Sequence, residues 1–130
     1  DGVREIEEEL GLALSFEQLA QLGVVHDEIV LPGFTDRERA FLHLYEGMQV
    51  DLEDYRLQPG EVSGMVAVEF LAFFELCMKQ TEAIDVRGFI ETTEGRQPFH
   101  QKIGLADFVP HQLTYWQQVA IRIRRKLMDD

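Results

Sequence analysis

The sequence predicts a chain that mixes helices and strands, of the α/β or α+β class, and three observations carry that prediction. Stretches with strand-like alternation and stretches with helical apolar spacing follow one another along the 130 residues. Near the carboxyl end Leu113, Trp116, Ala120, Ile123 and Leu127 recur at spacings of 3, 4, 3 and 4, the period of a helix with one apolar stripe. A hydrophobic content of 45% is enough for one core and excludes a disordered chain. No internal repeat, low-complexity tract or interdomain linker divides the chain, so residues 1–130 are expected to form one domain.

The first element is the helix around Arg4-Glu5-Ile6-Glu7-Glu8-Glu9-Leu10. On a helix Glu5, Glu8 and Glu9 stand at i, i+3 and i+4 and project from one face, while Ile6 and Leu10 turn toward the protein. Like charges at that spacing weaken an exposed helix by roughly 0.2 to 0.5 kcal/mol per pair, so carboxylates kept on one face point to a bound cation. The plainer alternative is a solvated acidic face. Gly11 supplies the left-handed stop that follows many helix carboxyl ends.

Ser15 to Gln21 reads as a helical turn capped by Ser15, with Glu17 and Gln18 early in it. From Leu22 to Leu31, Val24, Val25, Ile29 and Val30 flank a polar interruption at His26-Asp27-Glu28, which predicts a strand, or two strand pieces with a turn or bulge. Pro32-Gly33 ends it. Arg39 to Glu46 is a second strand, with Ala40, Leu42 and Leu44 on one face and Phe41, His43 and Tyr45 on the other. The ring face is expected to pack on a neighbouring helix rather than to meet a substrate.

Gly47 to Gly60 is a polar surface loop, of the kind that borders sites. Glu61 to Val68 follows as a strand and Glu69 to Met78 as an amphipathic helix, with Cys77 read as a small buried residue. Thr81 to Val109 is the least patterned part: Ala83 to Ile90 reads as a strand, Glu94-Gly95 as a turn, and Gln97 to Ile103 as another strand or an extended loop. Pro110 is placed in the first turn of the final helix. Arg122, Arg124, Arg125 and Lys126 crowd that helix's last turns, where cations meet the partial negative charge of the helix end. His26, His43, His100 and His111 show no metal-ligand spacing, and none is given a role.

Twelve basic against 24 acidic residues give a net charge of −12, which argues against nucleic acid and anionic membranes as partners. A small phosphorylated molecule stays compatible with that charge, because a metal ion held by carboxylates reverses the local field. The single Cys77 excludes an internal disulfide and suits a reducing, cytoplasmic setting. No apolar run approaches the roughly 20 residues that span a bilayer.

At the first helix the chain resembles the Nudix hydrolases, whose box reads GX5EX7REUXEEXGU in one-letter code with U aliphatic. Arg4, Glu5, Ile6, Glu8, Glu9, Gly11 and Leu12 fill every specified position of its second half, REUXEEXGU. The run Asp36-Arg37-Glu38, then Leu42-His43-Leu44-Tyr45, then Glu61-Val62-Ser63-Gly64 is similar to the bacterial subgroup placed near isopentenyl-diphosphate isomerase.

The resemblance implies an α/β/α sandwich with a mixed sheet. It also implies Mg2+ or Mn2+ bound by Glu5, Glu8 and Glu9, with Glu5 and Glu9 as direct ligands and Glu8 as a third ligand or its support. Glu8 and Glu9, with Glu61 just before a strand as the proton acceptor, are the catalytic candidates. The implied activity is hydrolysis of a diphosphate linked to another moiety, by water attack at phosphorus on a small-molecule substrate, with a homodimer as one assembly open to it. Two other readings are a non-catalytic Nudix-like domain that binds a nucleotide or metabolite, and an isomerase-like enzyme. The first half of the box would precede Asp1, so the resemblance also predicts an amino-terminal segment on the order of 40 to 60 residues ahead of Asp1, carrying strands of the sheet and the partner of Arg4.

Overall fold

The computed structural model describes residues 2–47 and 51–129. It contains helices α1 (Gly2–Leu10), α2 (Phe70–Cys77) and α3 (Leu113–Asp129), and strands β1 (Leu19–Leu31), β2 (Phe34–Tyr45), β3 (Gly64–Ala67), β4 (Ile84–Thr92) and β5 (Gly95–Ile103). Helices and antiparallel sheets are thus combined as expected of an α/β Nudix-like chain. β1 pairs with β2, and β3, β4 and β5 form a second sheet in that order. The chain divides into two compact units, the first made of Asp1–Leu19, Tyr45–Val68 and Asp85–Lys102, the second of Ala20–Leu44, Glu69–Ile84 and Ile103–Asp130.

In the first unit α1 ends where its sequence says it should. The Gly11 N–H donates to the Glu7 carbonyl at 3.0 Å, and Gly11 adopts φ +75°, a conformation that costs an L side chain roughly 1 to 2 kcal/mol. A Cβ there would also lie 2.7 Å from the Cβ of Arg56. The approach serves the helix end, whose last carbonyls lack partners within the helix. Arg56 N–H donates to the Leu10 carbonyl and Gln58 N–H to the Glu9 carbonyl, both at 2.9 Å. α1 buries no residue completely; Ile6 and Leu10 are half-buried, so their expected inward face is only partly covered.

β3 and β4 run antiparallel, with Gly64 opposite Ile90 and Ala67 opposite Arg87. The expected strand from Glu61 starts later, at Gly64, because Pro59 to Glu61 forms a turn in which the Glu61 and Val62 N–H groups both donate to the Gln58 carbonyl at 3.1 Å. β4 and β5 form a hairpin across Thr93-Glu94, which resolves 97–103 as a strand rather than a loop. The expected polar loop from Gly47 to Gly60 contains a single helical turn at Leu52–Asp54; its residues 48–50 lie outside the described ones.

In the second unit β1 passes through His26-Asp27-Glu28 without interruption. Asp27 is 4% exposed, and burying a charge is tolerated only when its oxygens are paired. His111 and Gln112 supply the partners, and of the two readings of this stretch the single continuous strand is the one observed. On β2 the aliphatic face of Ala40, Leu42 and Leu44 is half-buried, whereas Phe41 is 70% exposed, so this ring does not pack on a helix. α2 presents Phe70, Phe73 and Phe74, and a chain of ring contacts runs from Phe73 to Phe108 at 6.0 Å and from Phe108 to Trp116 of α3 at 5.2 Å. Leu76, Cys77, Val119 and Ala120 are the most enclosed positions of the two helices. Burial pushes the Cys77 thiol up to about 11, consistent with an inert buried cysteine.

α3 starts at Leu113, three residues after the position expected from Pro110. Its stripe is shorter than its periodicity suggests: Leu113 and Leu127 lie open at the ends, while Val119 joins Ala120 at the centre. Arg122 is not a helix-end cation. Its Nη1 donates to the Leu22 carbonyl at 2.9 Å and occupies the space a Cβ on Gly23 would take. Arg124 lies over the Phe74 ring at 4.5 Å.

Candidate functional site

Glu5, Glu8 and Glu9 all lie on α1, where Glu5 and Glu8 are exposed and Glu9 is half-buried. Arg4 is not left over. Its Nε lies 3.8 Å from the Glu8 carboxylate, one turn along the same helix, an orientation that steadies Glu8 at small energetic gain because both groups are exposed. The donors are hard carboxylate oxygens, which suit Mg2+ or Mn2+ in kind. Among the described residues no group of three or more His, Cys, Asp or Glu side chains is placed so that it could hold a metal ion by itself. An open set of carboxylates fits Mg2+, which usually keeps several waters and takes remaining oxygens from substrate phosphates.

Glu61 is brought to the same unit by the segment that closes α1. Gln58 links the two, donating its N–H to the Glu9 carbonyl and accepting from the Glu61 N–H. The Glu61 side chain is exposed. Beside this segment lies a cavity of about 750 Å3, walled on one side by Arg56, Leu57, Pro59, Gly60, Val62 and Ser63 and on the other by Glu91, Thr92, Thr93 and Arg96. Arg96 is the brace of that wall. Its guanidinium stacks over Phe89 at 3.7 Å, pairs with Glu91, and donates to the carbonyls of Tyr55 at 3.0 Å and Glu53 at 3.3 Å. Arg56 donates to the same two carbonyls, at 3.1 Å and 2.9 Å.

The second unit contains a polar centre that the sequence patterns did not reveal. Asp27 accepts from His111 Nδ1 at 2.6 Å and from the Gln112 N–H at 3.0 Å, and the Gln112 side chain accepts from the Glu28 N–H at 3.1 Å. Burial alone would raise the Asp27 pKa; the His111 hydrogen bond, the Gln112 N–H, the His111 charge and the Glu28 N–H outweigh it and hold the carboxyl below its ordinary value. The His111 ring stacks on Tyr115 at 4.0 Å. Burial, then the charges of Asp27 and Glu38, push the Tyr115 phenol up. His111 thus has a structural role, tying the chain before α3 to β1. The available signal was an acidic residue inside an apolar strand, which demands a partner somewhere in the chain.

No family model matches the chain. No solved structure matches it either. Among curated proteins it is similar to an uncharacterized Nudix hydrolase of Clostridium acetobutylicum, 34% identical over 131 residues that cover all of this chain. The chain spans 61% of the length of that relative.

Proposed function

Because these residues belong to the Nudix hydrolase family, we propose that the protein is a divalent-metal-dependent hydrolase of a diphosphate linked to another moiety. The observation that carries the proposal is the set of Glu5, Glu8 and Glu9 on one open helix face, within the REUXEEXGU pattern and joined through Gln58 to the segment bearing Glu61. A bound Mg2+ or Mn2+ supplies charge neutralisation at phosphate oxygens and acidifies a water.

The protein's own residues do the rest. Glu5 and Glu9 would hold the cation directly, and Glu8, steadied by Arg4, would add a ligand or orient one. Glu61, on a turn fixed by the Gln58 carbonyl, accepts the proton that the attacking water loses on its way to phosphorus. Gly11 and the Arg56 and Gln58 N–H groups hold the helix end, so the carboxylates start from a fixed backbone.

The test is product release by the full-length protein from a diphosphate ester in Mg2+, compared with Glu9→Gln. The variant is expected to lose turnover by at least about a hundredfold while its urea midpoint stays unchanged, because the substitution opens no core cavity. Turnover equal to that of the unaltered protein, or a loss explained by unfolding, refutes the assignment.

A further inference from the structure

We propose that Arg96 is a positioning residue for the reaction: from the β4–β5 hairpin its guanidinium fixes the stretch that closes α1, and through that stretch it sets the backbone from which Glu9 and Glu61 act. This rests on the hydrolase reading above and names a residue outside the REUXEEXGU pattern. Every link lies within the first unit. Arg96 donates from Nη2 to the Tyr55 carbonyl at 3.0 Å and from Nη1 to the Glu53 carbonyl at 3.3 Å. Next along the chain, the Arg56 N–H donates to the Leu10 carbonyl and the Gln58 N–H to the Glu9 carbonyl, both at 2.9 Å. The Gln58 carbonyl in turn accepts from the Glu61 N–H at 3.1 Å. The far end of the stretch is pinned to the same hairpin, where the Ser63 carbonyl accepts from the Glu91 N–H at 2.8 Å.

Arg56 does not do the same work. Its Nη1 reaches the same two carbonyls, but Glu53 and Tyr55 are its near neighbours in sequence, so these bonds tighten the stretch on itself and do not join it to the sheet. Arg96 comes from 41 and 43 positions away and makes that join. It is itself held in place: Nε and Nη2 meet the Glu91 carboxylate, and the guanidinium carbon lies 3.7 Å from the centre of the Phe89 ring. A planar fork serves a carboxylate and two carbonyls at once, which the compact ammonium of lysine does not. The brace matters because Glu9 is half-buried on a helix that buries no residue completely, so its position depends on the bonds at the helix end more than on packing. Loss of a group that supports a metal ligand typically costs about 10- to 100-fold in metal affinity or activity.

The test compares the unaltered full-length protein with Arg96→Met, Arg96→Lys and Val86→Ala, each well below its melting temperature. Methionine keeps an apolar stem over Phe89 without the donors. Val86, 1% exposed on β4, controls for lost stability alone, since its truncation opens a core cavity. Three quantities are read: amide hydrogen exchange without metal, the dissociation constant for Mn2+, and the kinetics on the diphosphate ester that the unaltered protein cleaves in Mg2+. In both Arg96 variants the Arg56 and Gln58 amides are expected to exchange at least about tenfold faster. Mn2+ should bind about tenfold more weakly, and kcat should fall while KM for the ester stays within about twofold. Val86→Ala is expected to melt lower and to keep its Mn2+ affinity and kcat within about twofold. Unchanged Mn2+ affinity in the Arg96 variants, with or without faster exchange, or an equal loss in Val86→Ala, overturns the role of Arg96 while leaving the hydrolase standing. If the unaltered protein binds no Mn2+ and cleaves no ester, the hydrolase reading falls and this proposal with it.

Discussion

At the scale of single residues, the buried carboxylate of Asp27 shows how one polar side chain decides local structure. A chain crossing its core with an acidic residue must either break the strand to expose it or bring partners to it; here His111 and Gln112 come to it from 84 and 85 positions away. The consequence is measurable as pH dependence. Because the folded-state pKa of Asp27 lies below its unfolded value, the bonds contribute their full stability above about pH 4. That contribution is lost as pH falls through the lower, folded value, since the unfolded chain then binds the proton more readily. Asp27→Asn is therefore expected to lower the urea midpoint at pH 7 by about 1 to 3 kcal/mol equivalent. The gap to the unaltered protein should narrow on titration from pH 5 to pH 3. A gap that stayed constant across that range would show that the carboxylate charge contributes nothing there.

At the scale of elements, sequence patterns located most segments, and their misses have physical causes. α1, α2 and α3 and the turns at Pro32-Gly33 and Glu94-Gly95 follow from apolar spacing and from residues with special backbone geometry, both local properties. What depended on distant partners was not local: the choice between one strand and two pieces at Asp27 turned on His111 and Gln112, and Arg122 leaves the helix-end cluster because Leu22 offers a carbonyl beside the bare Gly23. The carboxylates of the candidate site were legible because one helical turn gathers them, whereas the cavity beside the segment that follows α1 was not, since its walls come from segments more than 25 residues apart.

The end of α2 yields a prediction of its own. Lys79 N–H donates to the Leu76 carbonyl at 3.1 Å and Gln80 N–H to the Glu75 carbonyl at 2.9 Å, the double closure of a Schellman motif, with Lys79 held at φ +62° where glycine is favoured. Lys79→Gly is expected to raise unfolding free energy by roughly 0.5 to 1 kcal/mol, relief of the left-handed strain exceeding the entropy that glycine adds to the unfolded chain. Chemical denaturation of the two proteins checks this. A lower midpoint in the variant would mean that the lysine side chain contributes more than its backbone strain costs.

At the scale of the whole molecule, the chain carries a net charge of −12 and yet is assigned a phosphorylated substrate. A cation between protein and substrate reconciles the two charges, so metal binding at α1 is the direct test of the assignment. No helix among the described residues is long and apolar enough to cross a membrane. The likeness to the clostridial relative runs over the whole of these 130 residues, so the acidic helix is read within an extended match and not as a stray motif.

The central claim is tested most directly by the melting temperature of the full-length protein as Mn2+ is titrated to millimolar concentration, with a Glu5→Gln, Glu9→Gln double variant beside it. A cation that binds only the folded state at a hundred times its dissociation constant adds about 2.7 kcal/mol of stability, a rise of several degrees for a domain of this size. The account predicts that rise in the unaltered protein and its absence in the double variant. An unchanged melting temperature in both, or an equal rise in both, would contradict it.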